Sequence, residues 1–405
     1  MAIANSEGGS RLPRLIFGDR VLWVIVAILS IVSVLLVFSS TAKMAYDVTE
    51  SASPFKYLFL QLAFLIFSLA VMAVMHRFSV KLYSTYSWHI LIICILLTLY
   101  AYFRGSAING AARWIPLGPI NIQPSEALKV AIVLHLSVML TRNPKQIKNL
   151  RLVPALKKGS KALNKRILNE GMIPITIPIF ASTLVILMAH TSSAMVLFGV
   201  SLVILYLAGV RFKEILKVVG YAALFAALFS FLGLGRSGTA GGRLDTWVDT
   251  WTSNRMEIRV DDISDTERSM VAIQNGGFGG VGAGQSSMRV EMIHPESDYA
   301  FAFFVEEYGL ILSILLLLLY IWIFFRAMWI FERCNDPFRE LLVLSLASLI
   351  LLQALLHVMV SVNFLPETGQ ILPLVSRGGS ALFCTYMAFM LMLSISAKCE
   401  EESKL

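Results

Sequence analysis

Long uninterrupted apolar runs dominate the pattern of hydrophobic and polar positions along this chain. Residues 21–38, for example, contain no charged side chain. About 20 apolar residues in a helix cross the hydrocarbon core of a bilayer, and separate segments in lipid satisfy their own backbone hydrogen bonds only as helices. The pattern therefore predicts an all-α polytopic membrane protein with about ten transmembrane helices. We place these spans near residues 20–40, 57–75, 88–103, 125–141, 172–189, 194–210, 215–234, 299–325, 341–362 and 379–397.

The composition agrees with lipid as the solvent. Hydrophobic residues make up 57% of the chain and charged residues only 15%, whereas a typical soluble domain carries about 25% charged residues. A net charge of +8 would also suit a protein that binds nucleic acid. The basic residues, however, concentrate in alternate loops between the apolar runs, so we expect contact with membrane lipids and no nucleic-acid partner.

Loop charge predicts the orientation of the chain. Basic residues precede the first span and follow the second, fourth, sixth and eighth, and the largest cluster, 142–170, is opposed only by Glu170. Because loops rich in Lys and Arg stay inside, both termini are expected in the cytoplasm. We interpret the cluster as an ordinary cytoplasmic loop. The alternative is a surface that binds anionic lipid or a protein partner.

This orientation divides the chain into predicted regions. Residues 1–19 are expected to form a cytoplasmic tail, 20–397 the transmembrane domain and 398–405 a second cytoplasmic tail. Most outward loops are short, but 104–124 and the large loop 235–298, between the seventh and eighth spans, are long. Function is therefore expected at these two outward loops.

The sequence gives only weak evidence for a metal site or a disulfide. The run Asp261-Asp262-Ile263-Ser264-Asp265 matches a D-D-x-x-D pattern that holds magnesium diphosphate, but its polar surroundings favour a solvated acidic run. No cofactor is indicated with certainty, and a divalent cation (Mg²⁺ or Mn²⁺) stays open. Histidines are scattered singly, which predicts no metal cluster. The cysteines have no paired spacing, so we expect no disulfide framework; they are Cys94, Cys334, Cys384 and Cys399.

Two pairs of residues near the fourth span are candidates for binding. Glu126 and Lys129 are three apart on one helical face and can form an ion pair. That pair either fixes the helix end or lets Lys129 attract an anionic group such as a phosphate. Arg113 and Trp114 either anchor the loop at the headgroups or bind a lipid that carries sugars and phosphates.

The second outward loop ends with a carboxylate at the predicted start of span eight. Asp298 either caps that helix, whose N-terminus favours negative charge, or acts as a general base. Glu306 and Glu307 lie deeper in the same span, so at least one is expected to face the bundle interior. The glycine-rich stretch 276–284 follows no strand and predicts a backbone that approaches a helix or a ligand closely.

These motifs, in this order, resemble the SEDS family (shape, elongation, division and sporulation) of peptidoglycan glycosyltransferases, over nearly the whole chain. The motifs are Arg113-Trp114, Gln123-Pro124-Ser125-Glu126-x-x-Lys129, the glycine-rich 276–284, Pro295-Glu296-Ser297-Asp298, Glu306-Glu307-Tyr308-Gly309 and Leu372-Pro373-Leu374-Val375-Ser376-x-Gly378-Gly379-Ser380.

The resemblance implies an enzyme that polymerises lipid II into glycan strands on the outer face of the cytoplasmic (inner) membrane. By analogy with the family, Asp298 is the catalytic base and undecaprenyl diphosphate is the leaving group. The substrate-binding residues that this implies are Arg113, Trp114, Glu126, Lys129, Arg243, Ser376, Gly378 and Gly379. A class B penicillin-binding protein, the transpeptidase, and other divisome membrane proteins are the expected partners.

The stretch 369–373 is more similar to the division branch, FtsW, than to the elongation branch, RodA, which places the protein at the division septum. A lipid II flippase, an elongation-type polymerase and a pure scaffold for division proteins remain alternatives. The chain departs from the family pattern at three places. His190-Thr191-Ser192-Ser193 replaces Pro-Asp-Leu-Gly, Arg377 replaces an aromatic residue, and Arg268 replaces a glutamine.

Overall fold

A computed structural model describes most of the chain. The described residues are 18–41, 54–76, 78–108, 111–117, 120–142, 173–231, 241–243, 245, 247–248, 264–292 and 295–403. Outside them lie the tail 1–17, nearly all of the basic cluster 142–170, His294, and most of the segment 232–263, which includes Asp261 and Asp262.

Helices account for most of the described residues. They are α1 (Arg20–Thr41), α2 (Pro54–Met75), α3 (Val80–Arg104), α4 (Pro124–Thr141), α5 (Ile173–Ala189), α6 (Thr191–Leu207), α7 (Phe212–Phe231), α8 (Asp265–Gly276), α9 (Met288–Glu291), α10 (Ala300–Phe331), α11 (Pro337–Ser361) and α12 (Gly379–Glu402). Three short strands follow α3, namely β1 (Ser106–Ile108), β2 (Ala111–Leu117) and β3 (Ile120–Ile122).

The helices confirm a polytopic membrane fold. Within the described ranges, 7 helices are long and apolar enough to cross a bilayer: α1, α2, α3, α4, α10, α11 and α12. The shorter apolar helices α5 and α6 and the helix α7 coincide with the remaining predicted spans. A total of about ten spans and the cytoplasmic position of both termini stay predictions, as do the boundaries of the predicted regions.

Burial separates central helices from peripheral ones. The most apolar windows of α4, α11 and α12 are 78%, 67% and 72% buried inside the protein, whereas that of α2 is only 17% buried. On α2, large apolar side chains such as Phe59 and Phe67 are exposed, as suits a lipid-facing surface. Polar groups in a membrane are tolerated when they face protein, so the central helices are where a polar site can be built.

The loop 104–124, which the charge pattern predicts to face outward, contains a three-stranded antiparallel sheet, in the order β1-β2-β3. Ser106 pairs with Trp114 and Ile115 pairs with Ile122. The register of β1 against β2 shifts by a bulge after Ser106. The sheet therefore holds Arg113 and Trp114 beside the start of α4.

The glycine-rich stretch 276–284 provides a hydrogen-bond acceptor at a break in α10. Gly309 has a φ of 82° inside this helix, and the amide of Leu310 donates to the carbonyl of Gly277 (2.9 Å) instead of to its own helix. A Cβ at Gly280 would lie 2.3 Å from the carbonyl oxygen of Glu307. The predicted close approach is confirmed, and the neighbour is a helix.

The two adjacent carboxylates of α10 are both buried. Glu307 accepts hydrogen bonds from the Ser39 hydroxyl and from the amide of Gly284 (2.8 Å). Glu306 accepts from the hydroxyl of Ser287 (3.0 Å) and from its amide (3.2 Å). The expectation that at least one faces the interior is confirmed, and both hold the loop between α8 and α10 against the bundle.

One cysteine prediction is wrong. Cys334 and Cys399 form a disulfide with a Cα–Cα distance of 5.0 Å across a sequence separation of 65 residues. Cys334 follows α10 and Cys399 lies near the end of α12, so only helix packing brings them together. Cys94 and Cys384 are free and buried, as expected for small apolar side chains.

Candidate functional site

A cavity of about 350 Å³ lies where α4, α6, α10 and α12 begin. The N-terminus of a helix carries partial positive charge, so these four helix starts favour an anion in the cavity. The polar and charged residues that line the cavity are Arg113, Asn121, Gln123, Glu126, Ser193, Glu296, Ser297, Asp298, Gln370, Arg377 and Ser380. Trp114, Gly378 and Gly379 line it as well.

Asp298 lies in the wall of this cavity and is half-buried. The N-cap of α10 is Tyr299, so the expectation that Asp298 lies in the first turn or caps the helix is wrong. Residues 295–299 form turns instead. A carboxylate without a capping role in a cavity suits the other interpretation, a general base.

Tyr299 attaches this turn to α8. Its phenol shares a 3.1 Å hydrogen bond with the hydroxyl of Thr266. Tyr299 is buried, so the residue next to Asp298 in the chain is held in the protein interior.

Ser376 supports the turn from behind and does not line the cavity. Its hydroxyl donates to the carbonyl of Ser297 (2.9 Å) and accepts from the amide of Leu372 (2.8 Å). The side chain is buried. The structure therefore places this predicted substrate-binding residue one layer behind Asp298, where it connects two loops.

Glu126 and Lys129 form the ion pair that their spacing predicts. The Lys129 Nζ lies 2.8 Å from Glu126 Oε1, and the lysine side chain is 1% exposed. Glu126 lines the cavity, whereas Lys129 lies one turn deeper beside Gln353 and Cys384. A ligand in the cavity can therefore contact the Glu126 carboxylate but not Lys129. The lysine compensates the charge of Glu126 from behind the cavity wall.

Arg113 and Trp114 both reach the cavity from β2. The guanidinium carbon of Arg113 lies 5.8 Å from the centre of the Trp114 ring. Both side chains are half-buried. A flat ring beside a guanidinium suits a ligand that carries both sugars and phosphates, since the ring stacks and the guanidinium forms paired hydrogen bonds.

The other predicted residues divide into two groups. Gly378 and Gly379 line the cavity, and a Cβ at Gly379 would lie 2.5 Å from the Phe64 ring. Arg243 does not line it. Its guanidinium donates to the carbonyl of Glu367 (3.3 Å) and lies 3.9 Å from the carboxylate of the same residue.

Arg377 is a cavity residue that the sequence analysis did not select. Its guanidinium lies 3.3 Å from the Glu296 carboxylate and 4.2 Å from the centre of the Tyr57 ring. Its backbone amide donates to the carbonyl of Glu296 (2.8 Å). The departure from the family pattern at this position was the available signal, because an arginine there adds a cation to the site.

A hydrogen-bonded series of residues behind Asp298 was also missed. The Gln370 side-chain amide donates to the hydroxyl of Ser193 (2.9 Å), and the backbone carbonyl of Gln370 lies 2.7 Å from His357 Nδ1. The other ring nitrogen of His357 accepts from the amide of Phe301 (3.2 Å). This series connects α6, α11 and the start of α10 around the cavity.

The described part of the chain shows no cluster of metal ligands at the cavity. Among the described residues, no three or more His, Cys, Asp or Glu side chains are grouped so that they could hold a metal ion. Glu126 and Glu296 are each paired with a cation, and Asp261 and Asp262 lie outside the described residues. A divalent cation (Mg²⁺ or Mn²⁺) therefore stays an untested prediction, and the chemistry proposed below uses none.

The fold and the cavity define a polytopic helical membrane protein with a polar site at one end of its bundle. The family model of the FtsW, RodA and SpoVE cell cycle proteins matches residues 19–401. The chain therefore belongs to this family, which is the SEDS family that the motifs resemble, and it is FtsW-like.

Relatives and solved structures agree with the assignment. The chain is 28% identical to the probable peptidoglycan glycosyltransferase FtsW of Coxiella burnetii, with 93% of this chain and 96% of the relative covered. It is 26% identical to the stage V sporulation protein E of Bacillus subtilis, with 93% and 96% covered.

Two solved structures share the fold. A chain from a peptidoglycan synthase complex that coordinates polymerization and crosslinking superimposes with a TM-score of 0.71 at 20% identity, covering 94% of this chain and 98% of that one. The rod shape determining protein RodA of Thermus thermophilus superimposes with a TM-score of 0.60 at 20% identity, covering 94% and 96%.

Proposed function

We propose that this chain is a peptidoglycan glycosyltransferase that polymerises lipid II into glycan strands during cell division. The observation that carries the proposal is the position of Asp298 in a cavity that also holds Arg113, Trp114 and Arg377. This combination supplies a base for a hydroxyl, a ring for a sugar and two cations for a diphosphate. The names of the relatives point to the same reaction class.

The proposed step is one displacement at an anomeric carbon. Asp298 takes the proton of the acceptor sugar hydroxyl while that oxygen bonds to the anomeric carbon of the donor. The bond from this carbon to the oxygen of undecaprenyl diphosphate breaks, and the leaving group takes the electron pair. The configuration inverts, so no covalent enzyme intermediate is needed. The protonated Asp298 then loses its proton to water.

The base supplies only part of the acceleration. General base catalysis typically contributes about 10²–10⁴-fold, so positioning and charge stabilisation must supply the rest. Arg113 and Arg377 are the proposed partners of the diphosphate, because guanidinium groups bind phosphate oxygens in pairs. The helix N-termini around the cavity favour the same charge. Lys129 and Arg243 act from outside the cavity, through Glu126 and Glu367.

The proposed partners and location follow from the family. A class B penicillin-binding protein would crosslink the strands that this chain makes, within a complex that includes other divisome membrane proteins. A related chain in a solved complex, which couples polymerization with crosslinking, supports this proposal. The similarity to FtsW supports the division septum of the cytoplasmic membrane as the site of action.

The decisive experiment measures glycan synthesis from lipid II by the purified full-length chain, with and without the class B penicillin-binding protein. We expect Asp298→Asn to lose activity by at least about 10²-fold, the lower end of the range for a general base. Glu291→Gln is the matched control, because Glu291 is an exposed carboxylate on α9 away from the cavity.

Two outcomes would contradict the proposal directly, and a third would replace it with a scaffold role. One is unchanged synthesis by a stably folded Asp298→Asn variant, which removes the base. The other is a wild-type chain that moves labelled lipid II across liposomes and makes no polymer, which would assign the protein to the flippases. A chain with neither activity, alone or with its partner, would be a scaffold.

A further inference from the structure

His190 lies near the proposed catalytic base, at the start of α6, whereas Asp298 lies in the turn before α10. It is the N-cap of α6, and its side chain is buried. A Cβ built on Gly369 would lie 3.7 Å from His190 Nε2 and 3.7 Å from Asp298 Oδ2. The imidazole and the carboxylate therefore face the same small space, which Gly369 leaves open because it has no side chain.

The hydrogen bonds of His190 determine which ring nitrogen carries the proton. The amide of Ser193 donates to Nδ1 (3.2 Å), so Nδ1 is an acceptor. The Ser193 hydroxyl lies 2.5 Å from the same nitrogen and itself accepts from the Gln370 side chain, which leaves its own proton for Nδ1. A neutral imidazole has one N–H, so the proton is on Nε2, facing Asp298.

This tautomer excludes one role and suggests another. An Nε2 that already carries a proton cannot accept one from the sugar hydroxyl, so His190 is not the base. An N–H donor that faces a carboxylate can form a charge-assisted hydrogen bond and so restrict its rotation. The imidazole can therefore hold one oxygen of Asp298 and leave the other directed into the cavity.

The surrounding structure keeps this arrangement in place. Gly369 adopts a φ of +57°, which a residue with a side chain rarely adopts. The next residue, Gln370, forms hydrogen bonds with the Ser193 hydroxyl through its side chain and with His357 through its backbone carbonyl. His357 in turn accepts from the amide of Phe301, three residues after Asp298. The start of α6 and the start of α10 are thus connected through one loop.

We propose that His190 is a positioning residue, whose Nε2–H orients the Asp298 carboxylate across Gly369, directly or through one water molecule. The inference rests on the proposed function, since it concerns the base of that reaction. Orientation affects the chemical step and not the binding of lipid II. Its loss therefore lowers kcat and leaves KM nearly unchanged.

Two substitutions separate orientation of Asp298 from capping of α6. An asparagine keeps a short acceptor at the N-cap but has no group at the position of Nε2. A glutamine reaches the position of Nε2 with an N–H but caps a helix poorly. We expect His190→Asn to keep its thermal midpoint and lose about 10-fold or more in kcat, since small misplacements cost up to about 10²-fold.

The glutamine variant is the rescue test. We expect His190→Gln to have a lower thermal midpoint than His190→Asn but a higher kcat, measured by lipid II polymerisation in the same detergent. The opposite order, with the asparagine variant active and the glutamine variant impaired, would show that His190 only caps the helix and would overturn the inference. Equal activity of both variants and the wild type would overturn it too.

Asp298→Asn, measured beside them, distinguishes the two proposals. If this variant and the wild type behave as expected while the order of the His190 variants is reversed, only the role of His190 is wrong. If Asp298→Asn polymerises lipid II normally, the assignment of the base is wrong, whatever the His190 variants do.

Discussion

Arg377 and Glu296 form an ion pair in the cavity wall, with the guanidinium 3.3 Å from the carboxylate, and the Arg377 amide donates to the Glu296 carbonyl. The pair places the Arg377 cation beside Glu296, which lies two residues before Asp298 in the chain. Glu296 is nearly buried, with 6% of its side chain exposed, and Arg377 is 28% exposed. The arginine therefore serves two purposes, since it compensates a buried carboxylate and supplies charge to the cavity.

Removing the arginine is expected to affect both stability and substrate use. Arg377→Gln leaves the Glu296 carboxylate without its cation, which costs about 1–3 kcal/mol for an unsatisfied buried group. It also removes a proposed diphosphate contact, so kcat/KM for lipid II should fall about 10-fold or more, as for a charged hydrogen bond of about 1.5–3 kcal/mol. The measurements are the thermal midpoint and polymerisation kinetics.

The double variant separates the two effects. Glu296→Gln combined with Arg377→Gln should recover most of the lost thermal stability, because no charge is left buried, but it should not recover kcat/KM. Recovery of both would mean that Arg377 only compensates Glu296.

Lys129 is expected to matter for stability through Glu126. Lys129→Met removes the ammonium and leaves Glu126 charged in a largely buried position, and breaking a buried pair costs about 3–5 kcal/mol. Glu126→Gln combined with Lys129→Met should be more stable than Lys129→Met alone. The thermal midpoint of the purified proteins checks this, and a single variant as stable as the wild type would contradict it.

The contact between the glycine-rich stretch and α10 predicts a difference between neighbouring glycines. Gly280→Ala puts a Cβ 2.3 Å from the carbonyl oxygen of Glu307, at a φ of +80°, whereas no atom lies within 4 Å of a Cβ at Gly279. We expect Gly280→Ala to lower the thermal midpoint strongly, because overpacking alone costs about 1–3 kcal/mol, and Gly279→Ala to leave it nearly unchanged. Equal midpoints for the two variants would refute the packing described here.

Ser376 is expected to influence catalysis without contacting the substrate. Ser376→Ala removes the hydrogen bond to the Ser297 carbonyl and leaves the Leu372 amide unsatisfied, which costs about 1–3 kcal/mol. The turn that carries Asp298 then loosens, so kcat should fall several-fold while KM changes little. The matched control is Ser396→Ala, because the buried hydroxyl of Ser396 has no hydrogen-bond partner among the described residues. An increase in KM alone would instead indicate direct substrate contact.

Much of the fold could be predicted from the chain because membrane helices are local features. An apolar run of about 20 residues forms its own hydrogen bonds wherever it inserts, so each predicted span coincides with a helix. The close approach of the glycine-rich stretch was predictable for a similar reason, since only a backbone without side chains fits there. The exact neighbour, the break at Gly309, was not.

Two predictions from local sequence features were wrong. Asp298 was expected in or at the start of the helix. Residues 295–299 form turns, however, and the helix begins only after Tyr299. Cys334 and Cys399 gave no sign of pairing, since their spacing in the sequence carries no information about the distance between the ends of α10 and α12.

The sequence by itself determined the membrane class, the predicted orientation and the candidates Arg113, Glu126 and Asp298, because each depends on residue type and near neighbours. Only the tertiary structure decided which candidates share a cavity. It placed Lys129 and Ser376 behind the wall, brought Arg377 into it, and set His190 opposite Asp298. The physical reason is that these side chains come from helices far apart in the chain, and only the packing of the bundle determines the distances between them.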